Sequence, residues 1–402
     1  MQPPKFILPT IVFAQFCCTS LWFAGNGVMG DLIRSFRLQT AALGDLTSAV
    51  QFGFISGTLL FAMLTIADRF SPSRVFFTCA LLGAACNAGI SWEGHGLGSL
   101  LALRFGTGFF LAGIYPVGMK IAADYFQKGL GKSLGFLVGA LVVGTAFPHL
   151  LKGMTDSVPW RWVIFTTSLL AVLGGVLMLA LVPDGPHRKP GAQVHLTAFF
   201  QVFKNRDFRA AAFGYFGHMW ELYAFWAFVP VILRGYYELH PPATGNISVL
   251  SFLIISIGGV ACVLGGYLSE RIGTKRTAFL ALLLSCSCCL LAPWLFQLPS
   301  PALFLAFLVF WGMVVIADSP LFSTLVAHNA SPEIKGTALT IVNSIGFAIT
   351  IVSIQLLNGL REWTDSSAIY AVLALGPVLG LIALGRPSKP KVADEVTLIR
   401  PA

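Results

Sequence analysis

Charged residues are scarce in this chain: Asp, Glu, Lys and Arg together make up 11% of its 402 residues, whereas hydrophobic residues make up 56%. A soluble protein carries about 25% charged residues, so this shortage excludes an ordinary soluble globular protein. Long apolar runs separated by short polar segments, with a mean hydropathy of +0.79, indicate a chain that has lipid as its solvent. No hydrophilic stretch is long enough to form a separate soluble domain.

The polar segments also lack the motifs of enzymes. They contain no glycine-rich phosphate loop, no zinc-spaced set of His and Cys and no nucleophilic triad, so we expect no enzyme activity, no ATP hydrolysis and no cofactor. All eight cysteines lie in apolar runs, including the CxxC of Cys286 and Cys289, and we expect them to pack rather than to bind metal. The net charge of +9 lies in short loops, which favours membrane orientation over nucleic-acid binding.

Apolar runs of about 20 residues predict membrane-spanning helices, and the sequence contains twelve of them. The first six are 6–30, 41–66, 75–92, 98–122, 132–151 and 161–182, and the second six are 208–233, 247–268, 277–297, 301–327, 336–360 and 367–385. The chain therefore divides into an N-terminal six-helix bundle, a cytoplasmic linker, a C-terminal six-helix bundle and a cytoplasmic tail, at 1–183, 184–207, 208–386 and 387–402.

The distribution of basic residues predicts the orientation of these helices. Most Lys and Arg residues fall in segments on the same side as the two termini, which predicts cytoplasmic termini in the inner membrane of a bacterium. The first run follows Lys5 without a convincing cleavage site, so we interpret it as a retained helix.

A short charged motif occurs twice, about half a chain apart. Asp68 and Arg69 interrupt one long apolar stretch, and Glu270 and Arg271 interrupt another. An acid followed by arginines, repeated at half the chain length, predicts two equivalent halves.

Twelve helices in two halves, with this motif after helices 2 and 8, resemble the major facilitator superfamily of transporters. The loop motif of that family reads Gly-x-Leu-Ala-Asp-Arg-x-Gly-Arg/Lys-Arg/Lys. The copy at 266–276 matches it closely, whereas the copy at 64–74 lacks both glycines. The resemblance implies an all-α fold with alternating access. It also implies a conformational gate at these residues: Asp68, Arg69, Arg74, Gly266, Glu270, Arg271, Gly273 and Arg276.

Other signatures narrow the resemblance. Arg104 and Gly108 match the Arg-x-x-x-Gly of helix 4 in this superfamily, but residues 135–144 lack the Pro and the paired Gly of the helix 5 motif in drug/proton antiporters. The phrase Ser20-Leu-Trp-Phe-Ala is loosely similar to bacterial members grouped with nitrate/nitrite and cyanate transporters. The arginines that nitrate carriers place on helices 2 and 8 are absent.

Four ionisable side chains lie deep in the predicted helices, namely Arg104, His218, Glu221 and Asp318. Such groups are costly in a bilayer and mark function. His218 and Glu221 share one face of helix 7, which suits a proton site or a structural pair. Glu221 is the first choice as proton carrier and Asp318 the second. Arg104 is expected to pair with Glu221 or Asp318, or to hold an anionic substrate, and the resemblance implies a role in proton coupling for this Arg of helix 4. Asp318 has no acidic counterpart in the first half, which favours a functional role.

The resemblance places helices 1, 4, 7 and 10 around a central cavity, and so implies the following substrate-cavity residues: Gln15, Trp22, Asn26, Arg104, Trp220, Tyr223 and Trp226. The three aromatic residues of helix 7 flank Glu221 in sequence. They form either an aromatic cage for an organic cation or contacts with lipid and neighbouring helices.

These observations predict a monomeric secondary transporter in membrane lipid that moves a small polar or anionic solute, with protons as the coupling ion. Two alternatives stay open. One is a proton-driven exporter of lipophilic or drug-like compounds. The other is a membrane receptor or scaffold that transports nothing.

Overall fold

The computed structural model describes residues 4–126, 130–154, 159–188, 203–330 and 335–385. In the N-terminal half the helices are α1 (Ile7–Thr19, Ala24–Gly27 and Met29–Phe36), α2 (Ala42–Met63), α3 (Pro72–Gly89), α4 (Leu97–Leu111 and Tyr115–Tyr125), α5 (Leu130–Met154) and α6 (Arg161–Leu181). A short helix, Ile66–Arg69, follows α2.

In the C-terminal half the helices are α7 (Arg206–Leu239), α8 (Ile247–Ile272), α9 (Thr274–Leu295), α10 (Pro301–Ala317 and Ser319–Asn329), α11 (Lys335–Trp363) and α12 (Ser367–Ala374, a 3₁₀ helix, and Leu375–Leu384). Each predicted apolar run thus contains helix, and α7 extends beyond the predicted end at 233. Most of the predicted linker and the tail at 387–402 lie outside the described residues.

Ten helices in the described ranges are long and apolar enough to cross a membrane. The exceptions among the twelve are α1, whose pieces are individually short, and α3, which is 18 residues long and contains Arg74 and Asn87. The fold is the predicted all-α membrane architecture. We call the end of the bundle where α1 begins and α12 ends the terminal end, and the opposite end the distal end.

Helices α4 and α10 are broken at equivalent positions. Tyr115 and Ser319 each begin a second helical segment that has a proline at its first or second position, Pro116 or Pro320. Proline lacks an N–H and fits the first turn of a helix best, and both second segments place their proline there. Pro148, Pro230 and Pro293, in contrast, lie inside continuous helices.

The two halves also repeat a close helix contact. A Cβ on Gly108 of α4 would collide with the carbonyl oxygen of Val50 in α2, and a Cβ on Gly312 of α10 would collide with that of Ile254 in α8. Gly108 and Gly312 lie 204 positions apart, as do Val50 and Ile254. The duplicated halves therefore keep the same glycine where two backbones touch, as membrane helices do to pack closely.

Four exposed tryptophans mark the distal end: Trp92 after α3, Trp162 at the start of α6, Trp294 near the end of α9 and Trp363 at the end of α11. Their side chains are between 60% and 90% exposed. Tryptophan concentrates at the interface between the hydrocarbon and the headgroups. These four residues therefore define the membrane boundary at the distal end.

Candidate functional site

The deepest polar contact in the C-terminal half joins α7 to the break in α10. Nδ1 of His218 lies 2.8 Å from Oδ1 of Asp318, and both side chains are about 1% exposed. Among the described residues, neither Asp318 oxygen nor Nε2 of His218 has a hydrogen-bond partner beyond this contact. Asp318 is the residue between the two segments of α10, the C-cap of Pro301–Ala317 and the N-cap of Ser319–Asn329, and its side chain makes no capping hydrogen bond.

Glu221 lies one turn further along α7 but has different partners. Its Oε1 accepts hydrogen bonds from the Ser285 hydroxyl at 2.5 Å and from the Trp311 indole N–H at 2.6 Å. These donors come from α9 and α10, so the carboxyl group joins three helices of one half. His218 and Glu221 share a side of α7, as predicted, but His218 pairs with Asp318 instead of acting with Glu221.

Arg104 differs from the prediction. Its Nη1 donates to the Leu21 carbonyl at 3.1 Å and its Nη2 donates to the Trp22 carbonyl at 2.5 Å, and it forms no ion pair with any described residue. Residues 20–23 separate two helical pieces of α1, so the carbonyls there are free to accept. The predicted pairing of Arg104 with Glu221 or Asp318 is wrong, because the break in α1 supplies its acceptors.

An aromatic cluster joins the two halves. Trp22 of α1 lies 4.8 Å from Phe54 of α2, and 5.8 Å from both Tyr223 of α7 and Phe347 of α11, measured between ring centroids. Tyr223 in turn lies 5.4 Å from Trp226. We call Trp22, Phe54, Tyr223 and Phe347 the aromatic plug.

The aromatic cage around Glu221 is not formed. Tyr223 and Trp226 face the rings of Trp22 and Phe23, and the Trp220 indole N–H donates to the Val372 carbonyl of α12. Residues three positions apart still project from α7 at different angles, so the three rings reach different helices. Trp311, from α10, is the aromatic residue bonded to Glu221.

Polar groups in the N-terminal half are buried without partners. Neither amide atom of Gln15 in α1 or of Gln51 in α2 has a hydrogen bond to any residue that the structure describes, and both side chains are 0% exposed. Asn26, in contrast, donates to the Thr47 hydroxyl at 2.8 Å. The sequence reasoning missed Gln51 and His149, although each is a polar residue inside an apolar run. Buried amides without partners are costly, which is typical of a site that receives a polar ligand.

Hydrogen bonds join the two halves to each other at the distal end. The Gln355 amide of α11 donates to Asp45 at 3.2 Å and to Ser48 at 3.1 Å, both on α2. Asn358 donates to the Ala41 carbonyl at 3.1 Å. Between α8 and α5, Asn246 donates to the Gly153 carbonyl at 3.0 Å. We call the pairing of Gln355 and Asn358 with α2 the distal latch.

The predicted gate residues lie at the terminal end. Nζ of Lys120 is 2.9 Å from Asp68, and Arg188 donates to the carbonyls of Asp68 and Phe70. In this structure Asp68 therefore contacts its own half and the start of the linker, whereas a gate between the halves would need contacts across the seam.

The other gate side chains and glycines show no inter-half contact in the described part of the chain. The side chains of Arg69, Arg74, Glu270, Arg271 and Arg276 are exposed, Gly266 has open space around it, and Gly273 has a φ of +92°. Their gating role stays a prediction. Across the described ranges, no group of three or more His, Cys, Asp or Glu residues could hold a metal ion.

Two helical bundles joined by a latch at one end, with buried ionisable groups between their helices, define a membrane transporter built from duplicated halves. The chain belongs to the Major Facilitator Superfamily, whose family model matches residues 11–354. Family and fold are those of a transporter rather than an enzyme.

Comparison with curated proteins places the chain among transporters of different substrates. It is 24% identical over 194 residues to a "Probable L-galactonate transporter" of Escherichia coli, a match that spans 44% of this chain and 42% of that protein. It is 22% identical over 344 residues to a "Bicyclomycin resistance protein homolog" of Haemophilus influenzae, spanning 80% of this chain and 81% of that protein.

Solved structures of transporters have the same fold. The nucleoside transporter NupG matches with a TM-score of 0.70 and 16% identity, covering 95% of this chain and all of that one. A bacterial homolog of the human lysosomal transporter Spinster, in an inward-facing and occupied conformation, matches with a TM-score of 0.67 and 15% identity, covering 95% of each chain. At these identities the likeness shows the fold alone.

Proposed function

We propose that this transporter moves a small polar or anionic solute by alternating access and couples the movement to protons through His218 and Asp318. The observation that carries the proposal is the contact between these two side chains, buried at the break in α10. A buried charge is retained only where it is paired or functional. Asp318 has no acidic counterpart in the first half, so the duplicated fold does not need it.

The chemistry of the pair follows from its position. An imidazolium and a carboxylate attract each other across the 2.8 Å between Nδ1 and Oδ1. A proton added to Asp318 removes this attraction. The second segment of α10 is then free to shift against α7, which links proton occupancy to the arrangement of these helices.

Glu221 is the second candidate for the group that carries the proton. Its oxygen accepts from two donors of its own half, so the carboxyl group holds α7, α9 and α10 together. Ser285 and Trp311 do not ionise near neutral pH, whereas the partner of Asp318 is an imidazole, which can take up a proton.

The conformation supports alternating access. With cytoplasmic termini, the distal latch and the aromatic plug close the periplasmic side, so this state is inward-facing. The contact of α5 with α8 is tight towards the distal end, where a Cβ on Gly153 would lie 2.9 Å from the Val249 nitrogen, whereas a Cβ on Gly135 or Gly266 meets nothing within 4 Å. The helices therefore part towards the terminal end.

The buried amides of Gln15 and Gln51 support a polar substrate, since an apolar solute would leave them without partners. A sugar acid, as in the name of the galactonate relative, fits this chemistry. The second candidate is export of a drug-like compound. The observation that favours it is the bicyclomycin resistance relative, whose match spans four fifths of this chain.

A two-stage experiment tests the proposal. First, thermal unfolding of the purified protein is measured with galactonate, uridine and bicyclomycin, and stabilisation identifies the solute. Transport of that solute is then measured in proteoliposomes with Asp318→Asn, Glu221→Gln and the exposed control Glu362→Gln. We expect Asp318→Asn to lose accumulation driven by a pH gradient and to retain exchange of solute at equal concentrations. Full accumulation by Asp318→Asn contradicts the proton assignment.

A further inference from the structure

A trough runs along the seam between the two halves on the surface that faces lipid. It has a volume of about 680 Å³ and is lined by one face each of α1, α5 and α8. The lining positions on each helix follow the spacing i, i+3, i+4, i+7, as in 136, 139, 140 and 143 of α5. Such positions form one stripe of a helix, so three stripes meet along about 10 Å of the bilayer normal.

Two glycines form the floor of the trough. A Cβ on Gly259 of α8 would lie 3.2 Å from the carbonyl oxygen of Gly139 in α5, so these backbones nearly touch where the halves meet. The walls are higher because they carry large side chains, including Phe13 of α1, Phe136 of α5 and Val260 of α8, which are 38% to 53% exposed. Side chains at the two glycine positions would fill the space.

The chemistry of the lining identifies the occupant. Ser256 is the one polar side chain among the lining residues, and its hydroxyl donates to the Leu253 carbonyl of its own helix. The trough therefore offers a ligand a single hydroxyl group and otherwise only hydrocarbon, and it opens to the hydrocarbon of the bilayer. A ligand that fits is apolar and elongated, and the surrounding membrane supplies acyl chains of that shape.

Basic residues lie at the terminal end of the same helices. Exposed Lys5 precedes the lining residue Pro9 by one turn, and exposed Arg271 follows the lining residue Val263 by two turns, which are about 6 Å and 12 Å along the helix axes. An acyl chain in the trough would place its headgroup near these cations. Basic side chains at the membrane surface attract anionic lipids.

We propose that the trough binds one acyl chain of an anionic phospholipid from the leaflet at the terminal end, and that the bound lipid stabilises the conformation in which the distal latch is closed. The second part follows from the position of the trough. α1 and α5 belong to one half and α8 to the other, so a rocking movement changes the angle at Gly139 and Gly259. A lipid that fits the present angle is lost when the angle changes.

Native mass spectrometry of the full chain, titrated with phosphatidylglycerol or with phosphatidylcholine, tests the site. The variant Val260→Trp fills the trough, and Val176→Trp is its matched control, because Val176 is also exposed to lipid but lies on α6. We expect the wild type and Val176→Trp to retain one more phosphatidylglycerol molecule than Val260→Trp. Equal retention by the two tryptophan variants would overturn the site.

A second variant tests the headgroup. We expect Lys5→Gln combined with Arg271→Gln to weaken the first phosphatidylglycerol by about thirty-fold, from about 1 kcal/mol for each basic contact. We expect it to leave phosphatidylcholine unchanged. Equal affinity of the wild type for the two lipids would refute the choice of an anionic lipid.

The link to conformation is tested in nanodiscs. Phosphatidylglycerol should raise the population with a closed distal end in Val176→Trp but not in Val260→Trp. The same response in both variants would refute the link to conformation.

Discussion

Removal of the distal latch should open the distal end by a predictable amount. Gln355→Ala deletes two hydrogen bonds between the halves, to Asp45 and Ser48. A hydrogen bond contributes about 0.5–1.5 kcal/mol net, so the variant loses about 1–3 kcal/mol in the closed state alone. At about 1.4 kcal/mol for each factor of ten, the ratio of distal-open to distal-closed molecules should rise by about 5-fold to 150-fold.

The assay is the distance distribution between two spin labels at the distal end. Gly98 and Gln297 are exposed positions on opposite halves, and a Cβ at Gly98 meets nothing within 4 Å, so cysteines there carry labels without disturbing packing. The control is Asn87→Ala. The Asn87 amide bonds to Ile164, Thr167 and Ser168 within its own half.

We expect Asn87→Ala to lower thermal stability and to leave the label distances unchanged, since both conformations contain its bonds. Gln355→Ala should add or enlarge a population at longer distance. If the two variants give the same distance distribution as the unsubstituted protein, the distal latch does not hold the halves together and the reasoning fails.

Two predictions concern stability, and thermal unfolding in detergent checks both. Gly108→Ala forces a Cβ against the Val50 backbone and should lower the free energy of unfolding by about 1–3 kcal/mol. Its control, Gly30→Ala, has open space around it and should cost far less. Equal unfolding midpoints of the two variants would contradict the close approach of α2 and α4. Trp311→Phe removes a hydrogen bond to the buried Glu221 carboxyl group and should lower the free energy of unfolding by about 1.5–3 kcal/mol. Its control, Trp294→Phe at an exposed position, should leave the unfolding midpoint unchanged. The same midpoint in both variants would show that the hydrogen bond contributes nothing.

The fold was predictable because its signals are local. Apolar runs of membrane length and a motif repeated at half the chain length can each be found without knowing which helices touch, and the twelve helical regions follow from them. Pro116 and Pro320 occupy equivalent positions of the two halves at the breaks in α4 and α10, whereas Pro148, Pro230 and Pro293 lie inside helices. Proline alone therefore does not mark a break, and the break in α1 contains none.

The site was predictable only in part, because its partners come from other helices. Sequence reasoning identified His218, Glu221 and Asp318 as buried ionisable groups but grouped His218 with Glu221 by their spacing along α7. In the structure, the partner of each group depends on the helix that its side chain faces. His218 therefore contacts α10, whereas Glu221 contacts both α9 and α10. Arg104 binds main-chain carbonyls, and no residue type marks a carbonyl that a helix break leaves free.

The tryptophans at the distal end make the protein mechanically asymmetric. Trp92, Trp162, Trp294 and Trp363 attach one rim to a single face of the membrane, so the height of the molecule in the bilayer is set from that face. A thicker or thinner bilayer then changes the surroundings of the opposite rim, because mismatch is accommodated where anchoring is weaker. That rim is where α5 and α8 part. We therefore expect the balance between the two conformations of this transporter to respond to bilayer thickness, with the anchored rim acting as the fixed support.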